Sequence, residues 1–143
     1  MKTPKDKKTI ADFGEQWTRY QDNSGFYGSV GLLADYLEPL FPIEEVNGLR
    51  VADIGSGSGR IVAMLLQAGA EHVVAVEPSD AFHVLASNTS DVASKVTLIH
   101  APGDQLKVEH PLDAVVSLGV LHHIEDPGPT VRAAHAALRP GGK

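Results

Sequence analysis

Val51-Ala52-Asp53-Ile54-Gly55-Ser56-Gly57-Ser58-Gly59 decides how the rest of the chain is read. Leu49 to Ile54 is a short apolar run with β-branched residues, a glycine cluster ends it, and Ile61 to Ala68 is then apolar nearly all round until Gly69. Such a run predicts a strand, a tight turn and a buried helix. The pattern recurs downstream, with His72 to Val76 as strand and Asp80 to Asn88 as helix, then Val96 to Ile99 and Leu112 to Ser117 as strands and a helix from Thr130 to Leu138. Strands alternating with helices at this spacing imply right-handed crossovers and a parallel sheet covered on both faces. The fold class is therefore α/β, open and twisted.

Upstream, Leu32, Leu33, Tyr36, Leu37 and Leu40 share one face at helical period, and Pro39 with Pro42 closes that helix. Residues 1–28 are polar with scattered aromatics (Phe13, Trp17, Tyr20, Phe26, Tyr27) and read as an N-terminal arm that packs onto the domain without being a core element, leaving 29–143 as the domain proper. The chain has 143 residues, 43% hydrophobic and 21% charged, enough for one ordinary globular domain. A net charge of -6 gives no footprint for a nucleic-acid backbone or an anionic membrane, and the one basic cluster, Lys2, Lys5, Lys7 and Lys8, reads as a solvated stretch. With no cysteine there is no disulfide, thiolate metal site or cysteine nucleophile. No apolar run approaches the roughly 20 residues of a membrane span, and no signal peptide opens the chain, so a cytoplasmic protein is expected.

In an open parallel sheet, ligands sit outside the carboxyl ends of the strands. Here the first strand runs into Gly55 to Gly59, where glycines permit positive φ and close backbone approach, and the second ends at Glu77, twenty-two positions after Gly55. An acidic side chain at that separation can accept hydrogen bonds from both hydroxyls of a ribose. Together they predict a nucleoside pocket. The third glycine comes one residue too early for a dinucleotide fingerprint, and Asp53 places a negative charge beside the loop, which suits a cationic ligand group better than a pyrophosphate.

These residues resemble motif I of class I S-adenosylmethionine-dependent methyltransferases. Val73 to Ser79 resembles that family's acidic loop, Gly103-Asp104 its adenine-binding step, Leu112 to His123 its fourth-strand motif, and Leu138 to Gly142 the turn before its fifth strand. The resemblance covers roughly residues 31–143. It implies a Rossmann-like sheet of about four strands in the order 3-2-1-4, incomplete because the chain ends where the fifth would begin. It implies S-adenosylmethionine as cofactor, with Asp53, Gly55, Ser56 and Gly57 at the methionine end and backbone contacts there from Ser117 and Leu118. Glu77 takes the ribose hydroxyls, Pro78 packs on the adenine, Asp104 accepts from its amine, and the Gln105 backbone reaches the ring. A sulfonium cofactor brings an activated methyl group, so no protein nucleophile is required, and no catalytic residue or metal ligand is assigned.

Other readings stand beside these. Asp104 also suits the opening of a turn. Adjacent side chains are expected to point apart, so His122 and His123 are given a structural role and not a metal or base role. Trp17 and Tyr20 are expected either to fold over the methionine end of the cofactor or to pack on the sheet's flank. A fourth strand buried on both faces but lacking a neighbour should either pair with a second copy or be covered by the chain's own termini. The acidic balance favours a small-molecule acceptor over nucleic acid. A nicotinamide-dependent oxidoreductase and a non-enzymatic nucleoside-binding module are the competing functions.

Overall fold

The structure, a computed structural model, describes residues 3–143. Lys2 of the basic cluster therefore lies outside the described residues. Four parallel strands form one sheet: β1 (Arg50–Ile54), β2 (His72–Val76), β3 (Val96–Ile99) and β4 (Ala114–Val116), in the order β3-β2-β1-β4. β1 is central. Val51 faces Val73 of β2 on one side and Ala114 of β4 on the other, so the strand order reverses at β1 and opens a crevice at the carboxyl ends of β1 and β4.

Helices cover both faces. α2 (Val30–Leu37), α3 (Arg60–Gln67) and α4 (Phe82–Asn88) lie on one, where Leu33, Met64, Leu65 and Leu85 are buried with Val51, Val73 and Ala75. α5 (Gly128–Ala137) lies on the other, where Ala137 packs with Ala52, Ile54, Val74 and Val76. The two-residue period of each strand sends alternate side chains to opposite faces. Each fully buried leucine or methionine contributes about 1.5–3 kcal/mol. Ser29 caps α2 by accepting from the Leu32 N–H at 3.2 Å, and the helix stops before Pro39 because the residue preceding a proline avoids the helical region.

Two details depart from the sequence reading. Much of the N-terminal arm is a regular helix, α1 (Pro4–Arg19). Thr3 Oγ1 accepts from the Asp6 N–H at 3.1 Å while Asp6 Oδ2 accepts from the Thr3 N–H at 3.2 Å, a capping box with Pro4 in the first turn. Lys5, Lys7 and Lys8 are exposed, while Ile10, Phe13, Gly14 and Trp17 form the inward stripe at helical spacing.

The fourth strand is also shorter than Leu112 to Ser117, because Leu112 pairs with Leu138 beyond α5. The chain's own C-terminal segment runs along this edge. Leu112 N donates to Ala137 O at 2.9 Å, Arg139 N to Leu112 O at 2.9 Å, Lys143 N to Asp113 O at 3.0 Å and Val115 N to Lys143 O at 2.9 Å. Of the two expected ways of satisfying the edge, cover by a terminus is the one seen. The Asp113 carboxylate fastens the corner, accepting from Arg50 N at 2.8 Å and Arg139 Nε at 2.5 Å. These donors hold its carboxyl below the usual carboxylate range, the Arg50 N–H first among them.

Candidate functional site: a cavity beneath the N-terminal helix

At the end of β1 the chain turns through Gly55, Gly57 and Gly59, all with positive φ. Gly55 is the most constrained. Its φ is +83°, and a Cβ there would lie 2.4 Å from Val120 Cγ2, so any side chain would be both strained and obstructed. The Gly55 and Ser56 N–H groups donate to the Val76 carbonyl at 2.8 and 3.0 Å, locking the loop to the end of β2.

Glu77 continues β2 into the same place and is 5% exposed. Its Oε2 accepts from Gly57 N at 2.8 Å, and Oε1 accepts from Ser79 N at 2.9 Å and Ser79 Oγ at 2.5 Å. A carboxylate has about four acceptor positions, so these three bonds fix its orientation and leave capacity on Oε2. Asp53 is buried on the strand itself, 1% exposed, and its Oδ2 has no hydrogen-bond partner. Burial pushes its carboxyl up to about 7; the nearby Glu77 charge adds to the rise, while Ser56 and Arg60 oppose it.

Beside this loop lies a cavity of about 560 Å³, within the range of small-molecule sites. Gly55, Glu77, Pro78, Asp104 and Leu118 line it, so five of the sequence-expected residues converge from the ends of four strands. Asp104 stands in a single 3₁₀ turn after β3. The other five are placed differently. Asp53 and Ser56 lie buried under the loop, Ser56 Oγ donating to Asp53 O at 2.9 Å. Gly57 lies under Trp17, and Ser117 ties the ends of β4 and β1 together by donating from Oγ to Ile54 O at 3.1 Å. Gln105 is exposed, with its N–H given to Pro102 O at 2.9 Å, so neither its side chain nor its backbone donor is turned to the cavity.

Much of the remaining wall is α1, whose Asp6, Thr9, Ile10, Phe13 and Trp17 face the strand ends across the cavity; of these, Trp17 alone was a candidate for this place from sequence. Four contacts seat the helix. Asp6 Oδ1 accepts from Glu125 N at 3.1 Å, the Phe13 ring meets His123 edge-on at 4.7 Å, Gly14 sits against Ser79, and the Trp17 indole lies 3.2 Å from where a Gly57 Cβ would stand. Tyr20, by contrast, is turned outward and 68% exposed. The His122 and His123 rings do not point apart; their centroids are 3.9 Å from each other. They share a 3₁₀ turn, whose rotation of about 120° per residue keeps neighbours closer than a strand would. His123 reaches the cavity wall. Among the described residues no group of three His, Asp or Glu is placed to hold a metal ion, and no helix is long and apolar enough to cross a membrane.

The sequence pattern of the methyltransferase domain family matches residues 52–143. A ubiquinone biosynthesis O-methyltransferase from Aromatoleum aromaticum is 34% identical over 99 residues, covering 67% of this chain and 42% of that protein. A tRNA U34 carboxymethyltransferase from Pseudoalteromonas translucida is 35% identical over 103 residues, covering 71% and 32%. The crystal structure of an S-adenosylmethionine dependent methyltransferase from Mesorhizobium loti superposes with a TM-score of 0.64 at 30% identity, over 76% of this chain and 48% of that one. The chain thus spans less than half the length of either of these two curated relatives.

Proposed function

The chain belongs to the methyltransferase domain family, and from that membership we propose that it binds S-adenosylmethionine in the cavity beneath α1 and serves methyl transfer to a small-molecule acceptor. The observation that carries this reading is the sign of the cavity wall. Every Asp, Glu, Lys or Arg among the described residues lining it is acidic: Asp6, Glu77, Asp104, Glu125 and Asp126. A wall of that sign repels the pyrophosphate of a nicotinamide dinucleotide and favours a ligand bearing sulfonium and ammonium charges. The unpartnered Oδ2 of Asp53 and the Gly55 backbone on the cavity wall fit the same group.

In this reading Glu77 accepts from the ribose hydroxyls with the capacity its three internal bonds leave. Asp104 and Pro78 bound the adenine, Gln105 holds the turn that carries Asp104 through its N–H on the Pro102 carbonyl, and Asp53, Gly55, Ser56 and Gly57 form the floor under the methionine end, with Ser117 and Leu118 flanking. S-Adenosylmethionine, when bound, supplies a methyl group already activated for in-line displacement. The residues of this chain orient it and exclude water; α1, with Ile10, Phe13 and Trp17, supplies the apolar lid. The tRNA-modifying relative shows that the matched domain occurs in proteins acting on nucleic acid. A negative cavity and a chain charge of -6 favour an uncharged or cationic small acceptor here.

Trp17 is the sole tryptophan and lines the cavity, so its emission reports occupancy directly. Titration with S-adenosylhomocysteine should change that emission saturably, and NAD should not. A saturable response to NAD alone would refute the cofactor assignment.

A further inference from the structure

The glycine loop is gripped from outside by a segment the cofactor reading does not use. Residues 20–29 form a strap leading from α1 to α2, and its Asn23 makes a reciprocal pair with Ser58 inside the loop. Asn23 Nδ2 donates to Ser58 O at 3.1 Å, and Ser58 Oγ donates to Asn23 Oδ1 at 2.8 Å. Asn88, at the end of α4, joins them, its Nδ2 donating to Ser58 O at 2.8 Å and to Gln21 O of the strap at 3.1 Å. The strap cannot be redrawn cheaply: a Cβ on Gly28 would fall 1.8 Å from the Asn23 carbonyl oxygen. Ser58 is 2% exposed and lies between Gly57, over which Trp17 rests, and Gly59, which opens α3.

Ser58 thus connects the two halves of the site. Its neighbour Gly57 is held by Glu77 from within, while its own carbonyl and hydroxyl are held by the strap from without. At its far end α1 is secured by Asp6 on the Glu125 N–H and Phe13 on His123. Between the two, Gly14 rests on Ser79, so the strap bears on the C-terminal end of α1, where Trp17 lies. The reciprocal pair is the more local to the loop, because both its bonds end on a residue flanked by left-handed glycines. We infer that Asn23 is a positioning residue of the cofactor site, latching the α1 lid to the glycine loop through Ser58 so that Trp17 stays seated over Gly57. The inference rests on the cofactor reading for its consequence, though not for the latch itself.

Two readouts on the full chain keep the two apart. Hydrogen exchange of the ligand-free chain reports the latch. In Asn23→Ala the amides of residues 4–19 should exchange faster than in the parent, with β1 and β2 unchanged. Stopped-flow Trp17 emission reports the consequence: S-adenosylhomocysteine should leave Asn23→Ala about ten-fold faster, with a smaller change in its rate of entry. Asn23→Asp, which retains the acceptor for the Ser58 hydroxyl but loses the donor, should fall between. Gln21→Ala, whose side chain bonds only the Thr18 carbonyl, should behave as the parent. Should Asn23→Ala fail to fold, Ser58→Ala removes one bond of the pair and carries the same expectation at reduced size. Unchanged exchange over residues 4–19 together with an unchanged exit rate would overturn the latch. If the parent bound neither S-adenosylhomocysteine nor S-adenosylmethionine, the cofactor reading would fail and the exchange arm alone would decide the latch.

Discussion

Asp53 is the residue whose chemistry is most unusual and most testable. A carboxyl raised to about 7 by burial holds a proton in the native chain that the unfolded chain has already lost above pH 4, so the group weakens folding as pH rises from about 4 to 7 and no further above that. The Asp53→Asn substitution leaves no charge to bury. That variant should therefore melt higher than the parent at pH 8 and close to it at pH 4, as calorimetric scans would show; a constant difference at both would refute the raised value. Cofactor binding should respond oppositely. An ammonium beside Oδ2 favours the ionised form, so parent affinity should fall as pH drops below 7, whereas the Asp53→Asn variant should bind weakly and lose that dependence. The position of Asp53 and of Glu77 was legible because a polar residue inside or just after an apolar strand stands out. That Oδ2 lacks a partner was not, since it depends on what packs above the strand from elsewhere in the chain. Gln105 shows the converse: the family resemblance implied that its backbone reaches the adenine, but the 3₁₀ turn uses its N–H locally.

At the scale of elements, the strands and their following helices could be read from apolar periodicity, because a strand buried on both faces permits little but Val, Ile and Ala. β2 and β3 have the expected limits. α1 was harder. Its inward stripe has only Ile10, Phe13 and Trp17 as large apolar residues, and it packs on the rim of a cavity, not in the core. Its start was nonetheless written in Thr3, Pro4 and Asp6, a capping sequence that an apolar-period search passes over. Removing the cap by Thr3→Ala should cost about 1 kcal/mol of helix stability. It should appear as faster amide exchange in the first turns of α1 with the sheet unaffected. Deleting residues 1–28 should leave a folded sheet that binds S-adenosylhomocysteine more weakly than the full chain. Equal affinity on titration would show that α1 packs beside the site without closing it.

The whole molecule places the site where its topology requires. With β2 on one side of β1 and β4 on the other, the loops after both strands open onto one crevice, which α1 then covers. That arrangement followed from the alternation of strands and helices. Cover over β4 was one of two expected outcomes, and the choice between them was not legible, because Arg139 to Lys143 carries no strand pattern and its bonds depend on α5 returning it to the edge. With those backbone groups already engaged, the chain is expected to be monomeric at micromolar concentration in size-exclusion chromatography with light scattering. A stable dimer would mean that the C-terminal segment yields to a second copy.

Calorimetric titration of S-adenosylhomocysteine into the parent and into Gly55→Arg tests the proposed cofactor site most directly, since the arginine would project from a position that tolerates not even a Cβ. Circular dichroism would confirm that the sheet of the variant is retained. Saturable one-to-one binding by the parent, abolished in the folded variant, is the expected result. A folded parent that takes up no ligand, or a variant that binds as tightly as the parent, would contradict the placement of the cofactor over the glycine loop.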